Sequence, residues 1–143
     1  MMIEVIGIAA IAIFALLGAL HIYWLLGGKV GINSAIPEID GEAAFAPPMW
    51  ATAAVPLGLF SCAWLVAALL EFLPSPVGSA ILRPVAYLLA AVFALRAIGD
   101  FNLVGFTKRQ RGSRFARLDT LLYSPLCLVL AVAVLAVAWA VDG

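Results

Sequence analysis

Charge is what this chain has least of. Only 11% of its 143 residues are charged, against about 25% in ordinary soluble domains. A soluble fold of that make-up would expose far too much apolar surface. Cysteine is nearly absent: Cys62 and Cys127 stand singly in apolar runs, with neither a C-x-x-C nor a metal-ligand spacing, and read as small packing residues. There is one histidine, His21. No P-loop, dinucleotide-binding glycine pattern, zinc motif or nucleophile elbow occurs. No metal and no cofactor is therefore expected, and nucleic-acid binding has no support. Nor is a cleavable signal peptide expected, because the first apolar run is too long and lacks a basic leader.

What the chain has instead is apolar length. It is 66% hydrophobic, with a mean hydropathy of +1.15. Four apolar stretches, at about 3–26, 49–72, 84–106 and 118–141, each approach the ~20 residues that a bilayer core demands. The expected fold is all-α: a polytopic membrane protein in which residues 1–143 form one four-transmembrane-helix bundle with a long first loop. Small residues recur three or four apart (Ala15 with Gly18, Ala63 with Ala67, Ala90 with Ala94), which lets helices approach closely in lipid. Pro56 is expected to bend the second helix.

The loops differ in kind. Loop one, 27–48, breaks the helix with Gly, Pro and Asn, yet carries Val30, Ile32, Ile36, Ile39 and Phe45. A loop this long in a compact domain is usually functional, and it is expected to fold back as a lid. Its acidic residues Glu38, Asp40 and Glu42 are expected to be solvated or paired with loop three. Loop three holds five cations between Lys108 and Arg117: Lys108, Arg109, Arg111, Arg114 and Arg117. Together with Lys29 these put loops one and three in the cytoplasm and both termini outside, by the positive-inside rule. The same five side chains are candidates for anionic-lipid contact.

Polar residues within the spans gather at the end facing those loops. Arg96 and Asp100 are one helical turn apart, and if helix three runs to Phe106, Arg96 lies about 15 Å inside it. Charges at that depth are expensive and mark functional sites, and the four-residue spacing suits an ion pair. His21 offers a titratable imidazole and Trp24 follows it. Asp119 reads either as a helix N-cap or as a site residue sharing a face with Tyr123. The expected ligand-binding set is His21, Trp24, Arg96, Asp100, Asn102, Asp119 and Tyr123, converging on one cavity. The catalytic candidates, should the protein be an enzyme, are His21, Asp100 and Asp119.

The stretch H-I-Y-W-L-L-G-G from His21 resembles a signature of a family of small bacterial four-helix membrane proteins that carries only a domain-of-unknown-function label. So does the run G-D-F-N-L-V-G-F-T-K-R-Q-R-G-S-R-F-A-R-L-D-T-L-L-Y-S-P-L-C from Gly99. The resemblance implies four transmembrane helices and places His21, Trp24, Asp100, Lys108, Arg109, Asp119 and Tyr123 in the family pattern. It implies no activity. A weaker architectural similarity extends to DoxX-like and emopamil-binding-like bundles, without a motif that carries their catalysis over.

The function expected is binding of a small amphipathic or lipid-derived ligand in a polar pocket at the cytoplasmic end of an inner-membrane bundle. Arg96 would meet an anionic group, Asp100 would set the charge of Arg96, and His21 would move a proton. Two alternatives stand beside it: a membrane enzyme doing acid–base chemistry on a lipid or isoprenoid, and a non-catalytic subunit or assembly factor. The partners expected are membrane lipids, with either a second copy of the chain or a partner membrane subunit.

Overall fold

The computed structural model describes residues 1–39 and 42–141. Four long helices dominate: α1 (Met2–Leu25), α2 (Met49–Leu69), α3 (Ser79–Ile98) and α4 (Arg114–Ala140). All four are long and apolar enough to cross a membrane, the architecture of a multi-pass membrane protein. Outward faces carry large apolar side chains such as Leu16, Leu57, Leu88 and Val132. Lipid solvates such faces, so most positions of each helix stay unburied, although the end of α2 is buried on every face through Leu65, Val66, Ala67, Ala68 and Leu69.

α1 packs along α2 and α3 along α4, and the two hairpins meet chiefly through α1 and α4. Glycine sets the spacing of the first hairpin. A Cβ at Gly7 would strike the Leu70 side chain, and one at Gly18 the Phe60 ring. The pairing of 7 with 70 and 18 with 60 makes the two helices antiparallel. The core runs through Phe14, Val66, Ala86, Val134 and Val137, with Phe14 tilted against Phe93 at 5.5 Å between ring centroids.

α1 and α2 follow the expected bounds closely, and α3 departs from them most. It begins at Ser79 rather than 84 and ends at Ile98 rather than 106. Pro84 stands inside it, where its missing N–H costs one backbone bond without ending the helix. The early stop comes from Gly99, whose φ of 103° lies outside the helical region. Arg96 is therefore in the last turn of α3, about 3 Å from its end by helical rise, and not deep in the span. Asp100 and Asn102 are not helical at all but belong to loop three.

α4 begins earlier than expected, capped by Ser113, whose hydroxyl accepts the Ala116 N–H at 3.0 Å. Asp119 is thus not an N-cap. The helix widens to a π-turn over Asp119–Tyr123 directly before Pro125. In a regular turn the Pro125 ring would clash with the carbonyl four residues back, and the wider turn relieves that contact. Loop one holds a short 3₁₀ turn (Ile32–Ser34) and a hairpin pairing Glu38–Ile39 with Glu42–Ala43. Asp40 lies outside the described residues.

Candidate functional site

Loop three is built before it is charged. After Gly99 the chain makes a tight return to Gly105, whose φ is 83°. A Cβ on either glycine would land on the backbone of the other, so only glycine fits both positions. Within the return, Asp100 Oδ1 accepts the N–H groups of Asn102 (2.9 Å), Leu103 (2.7 Å) and Val104 (3.0 Å). The Val104 N–H above all, with those of Asn102 and Leu103, holds the Asp100 carboxyl below the ordinary carboxylate range. Phe106 and Thr107 then donate back to Ala97 and Ile98, folding the loop over the end of α3.

This return delivers Gly105 and Lys108 to the buried face of α4. Asp119 is fully buried there. Its Oδ1 accepts from Arg96 Nη2 at 2.8 Å. Its Oδ2 accepts from the Gly105 N–H at 2.8 Å and Lys108 Nζ at 2.9 Å. Lys108, only 1% exposed, spends its other donors on the Gly105 carbonyl (2.9 Å) and the Thr120 hydroxyl (2.6 Å). Two cations on one carboxylate leave the cluster at a net charge of +1. Arg96 Nη1 and Ser124 Oγ are buried beside α4 without a hydrogen-bond partner among the described residues.

A second, apolar feature lies at the same end. His21 and Trp24 of α1, Ile32, Ile36 and Phe45 of loop one, and Thr52 of α2 line an open-sided cavity of about 290 Å³. His21 Nδ1 is 2.8 Å from the Leu17 carbonyl, and its ring meets Trp24 edge-on at 4.9 Å. Loop one closes over the cavity because it is tied at three points. Trp24 Nε1 donates to the Val30 carbonyl at 2.8 Å. The Tyr23 hydroxyl accepts the Val30 N–H at 3.4 Å, with its ring against Gly28. Tyr123 of α4 donates to the Ser34 carbonyl at 3.0 Å, across 89 residues of sequence.

A family model described as a protein of unknown function, DUF3995, matches residues 14–134. The chain belongs to that family. The DUF3995 match takes in the charge cluster, loop one and the His21 cavity alike. No curated protein and no solved structure matches the chain.

Against this DUF3995 structure the expected site divides in two. His21 and Trp24 line the apolar cavity, whereas Arg96 and Asp119 belong to the charge cluster and line no part of it. Tyr123 lines neither region: its ring is tilted against Phe115 at 5.9 Å between centroids, and its hydroxyl holds loop one at Ser34. Asp100 and Asn102 are exposed in loop three and join neither. The expected Arg96–Asp100 pair does not form, because the helix ends between them and Asp100 turns to its own loop backbone. Lys108 is likewise withdrawn from the lipid-contact set by burial, while Arg109, Arg111, Arg114 and Arg117 stay exposed.

Sequence reasoning missed Gly105, Thr120, Ser34 and Thr52. The six-residue spacing of Gly99 and Gly105 was a usable signal for the first. Nothing local marks the other three.

Proposed function

We propose that this protein is a bacterial inner-membrane protein that holds a small amphipathic or lipid-derived ligand in the cavity between α1, α2 and loop one. The observation that carries the reading is the roofed cavity itself: a largely apolar pocket with a single imidazole in its wall. Small-molecule sites have that make-up, an apolar lining with few placed polar groups. At about 30 Å³ per non-hydrogen atom, taking the share of a water, the space suits about ten such atoms. Binding is better supported than acid–base catalysis, because Asp100 and Asp119 are both committed to neighbouring donors and neither serves His21. The positive-inside rule puts loops one and three in the cytoplasm. The four exposed arginines of loop three then meet anionic headgroups, each contributing about 1 kcal/mol.

The test uses a variant in which Trp50, Trp64 and Trp139 are phenylalanine, so that Trp24 alone fluoresces. Bromooctanol, a ten-heavy-atom quencher, is titrated into the purified protein in micelles. Saturable quenching that Ala51→Phe abolishes by filling the cavity is the expected result. Quenching that is linear, or indifferent to Ala51→Phe, reports only partition into the micelle and overturns the proposal. Cysteine labelling of loop three in intact cells tests sidedness: reaction with an impermeant maleimide refutes the cytoplasmic placement.

A further inference from the structure

Among the described side chains lining the cavity, three carry polar atoms that bear on its ligand: His21, Trp24 and Thr52. The donors and acceptors they still have free define what it can recognise. Trp24 has a single N–H, and it is spent on the Val30 carbonyl. The Thr52 hydroxyl donates to the Pro48 carbonyl at 3.4 Å, which leaves oxygen lone pairs. His21 Nδ1 faces the Leu17 carbonyl, and since a carbonyl oxygen only accepts, that nitrogen carries the proton. In the neutral ring Nε2 is then a bare acceptor, and among the described residues it has no partner. Every side-chain group left for a ligand is therefore an acceptor.

Formal charge is missing from the described residues of the wall as well. The two cations that close this end of the bundle, Arg96 and Lys108, are engaged with Asp119 and do not line the cavity. Among the described residues no carboxylate lines it either. While the imidazole is neutral, a carboxylate or an ammonium placed there would lose water without gaining a counter-charge, which is strongly unfavourable. An uncharged donor loses far less and finds an acceptor waiting.

We infer that the ligand is an apolar alcohol whose hydroxyl donates to His21 Nε2, and not a fatty acid, an amine or a plain hydrocarbon. This rests on the ligand-binding reading above and names the chemical class of that same site. Thr52 is a second acceptor within the same wall, so the hydroxyl has a partner on α2 as well as on α1. The alkyl or isoprenoid body lies against the side chains of Ile32, Ile36 and Phe45, which carry no polar group, so selection by the cavity acts on the polar end.

The experiment compares four probes sharing one brominated octyl body, ending in a hydroxyl, a carboxylate, an amine or a methyl group. Each is titrated against the Trp24-only protein at about pH 8, where free imidazole is neutral. The alcohol is expected to bind about fivefold more tightly than the hydrocarbon after correction for micelle partition, the worth of one neutral hydrogen bond. The carboxylate and amine fall below both. His21→Phe keeps the ring and its contact with Trp24 but removes the acceptor, and is expected to erase the alcohol preference while chain binding persists. Thr52→Val, which leaves α1 untouched, is expected to lower that preference in part and serves if His21→Phe does not fold. Tightest binding by the carboxylate, or an alcohol preference that survives His21→Phe, overturns this inference while leaving the cavity a binding site. Failure of all four probes to quench saturably overturns the ligand-binding reading, and this one with it.

Discussion

Asp119→Ala removes the carboxylate that faces both Arg96 and Lys108 and leaves each to a different fate. Lys108 is 1% exposed and keeps only the Gly105 carbonyl and the Thr120 hydroxyl, so its ammonium stays buried without a counter-charge. Removing one partner of a buried ion pair costs about 3–5 kcal/mol. The Gly105 N–H also loses its acceptor, but Arg96 keeps a third of its side chain exposed and is largely screened. A loss of about 4 kcal/mol is expected, a large share of the ~5–15 kcal/mol by which proteins are stable. Lys108→Met is milder, at about 1–3 kcal/mol, because Asp119 retains Arg96 and the Gly105 N–H. The Asp119→Leu, Lys108→Met double variant discards both buried charges and is expected to recover at least about 2 kcal/mol relative to Asp119→Ala. Unfolding of the purified proteins by increasing dodecyl sulfate in mixed micelles, followed by tryptophan fluorescence, measures all four. If Asp119→Ala unfolds within about 1 kcal/mol of the wild type, or the double variant is no better than Asp119→Ala, the cluster does not hold loop three to α4.

Gly105→Ala forces a side chain into a φ of 83° and against Gly99, so it is expected to cost more than about 1 kcal/mol in the same assay. Gly112→Ala, where a Cβ meets open space, is expected to be nearly neutral. Asp100 has its pKa lowered by folding, so its contribution is fully present above the unfolded value and is lost as pH falls through the folded one. The amide resonances of Asn102, Leu103 and Val104 are expected to shift together with a midpoint below about 3.9, and a midpoint above it refutes the assignment. Tyr123→Phe releases loop one from α4 at a global cost of about 1 kcal/mol, yet is expected to speed proteolysis between Lys29 and Pro47 severalfold. Unchanged cleavage shows that the Ser34 contact does not hold the lid.

How the helices were legible, and where legibility stopped, follows from what hydropathy measures. It sums over a window, so four apolar runs announced four spans whatever their neighbours. The end of α3 escaped it because Phe101, Leu103, Val104 and Phe106 keep the window apolar through a segment that is a glycine-hinged loop. That one boundary carried two further errors with it. A helix drawn on to Phe106 sets Arg96 too deep and puts Asp100 on its helical face as a partner. Lys108 was hidden by company: in a run with four arginines nothing local distinguishes the cation that turns inward. Asp119 reads as a charge near a helix start, but its ion-pair partners lie 11 and 23 residues away, beyond the reach of any local pattern.

Composition and apolar run length by themselves determined that this is a bundle of four membrane-length helices with its polar residues at one end, because the bilayer acts on each segment alone. Tertiary structure decided how those polar residues are shared out. A buried carboxylate takes whichever donors the packing brings within about 3 Å. Here the back-to-back glycines of loop three bring Gly105 and Lys108, and the last turn of α3 brings Arg96. With the charges consumed in that latch, His21 is left facing an apolar cavity under loop one. No pattern in the chain separates those two outcomes, since they depend on which helix face meets which neighbour.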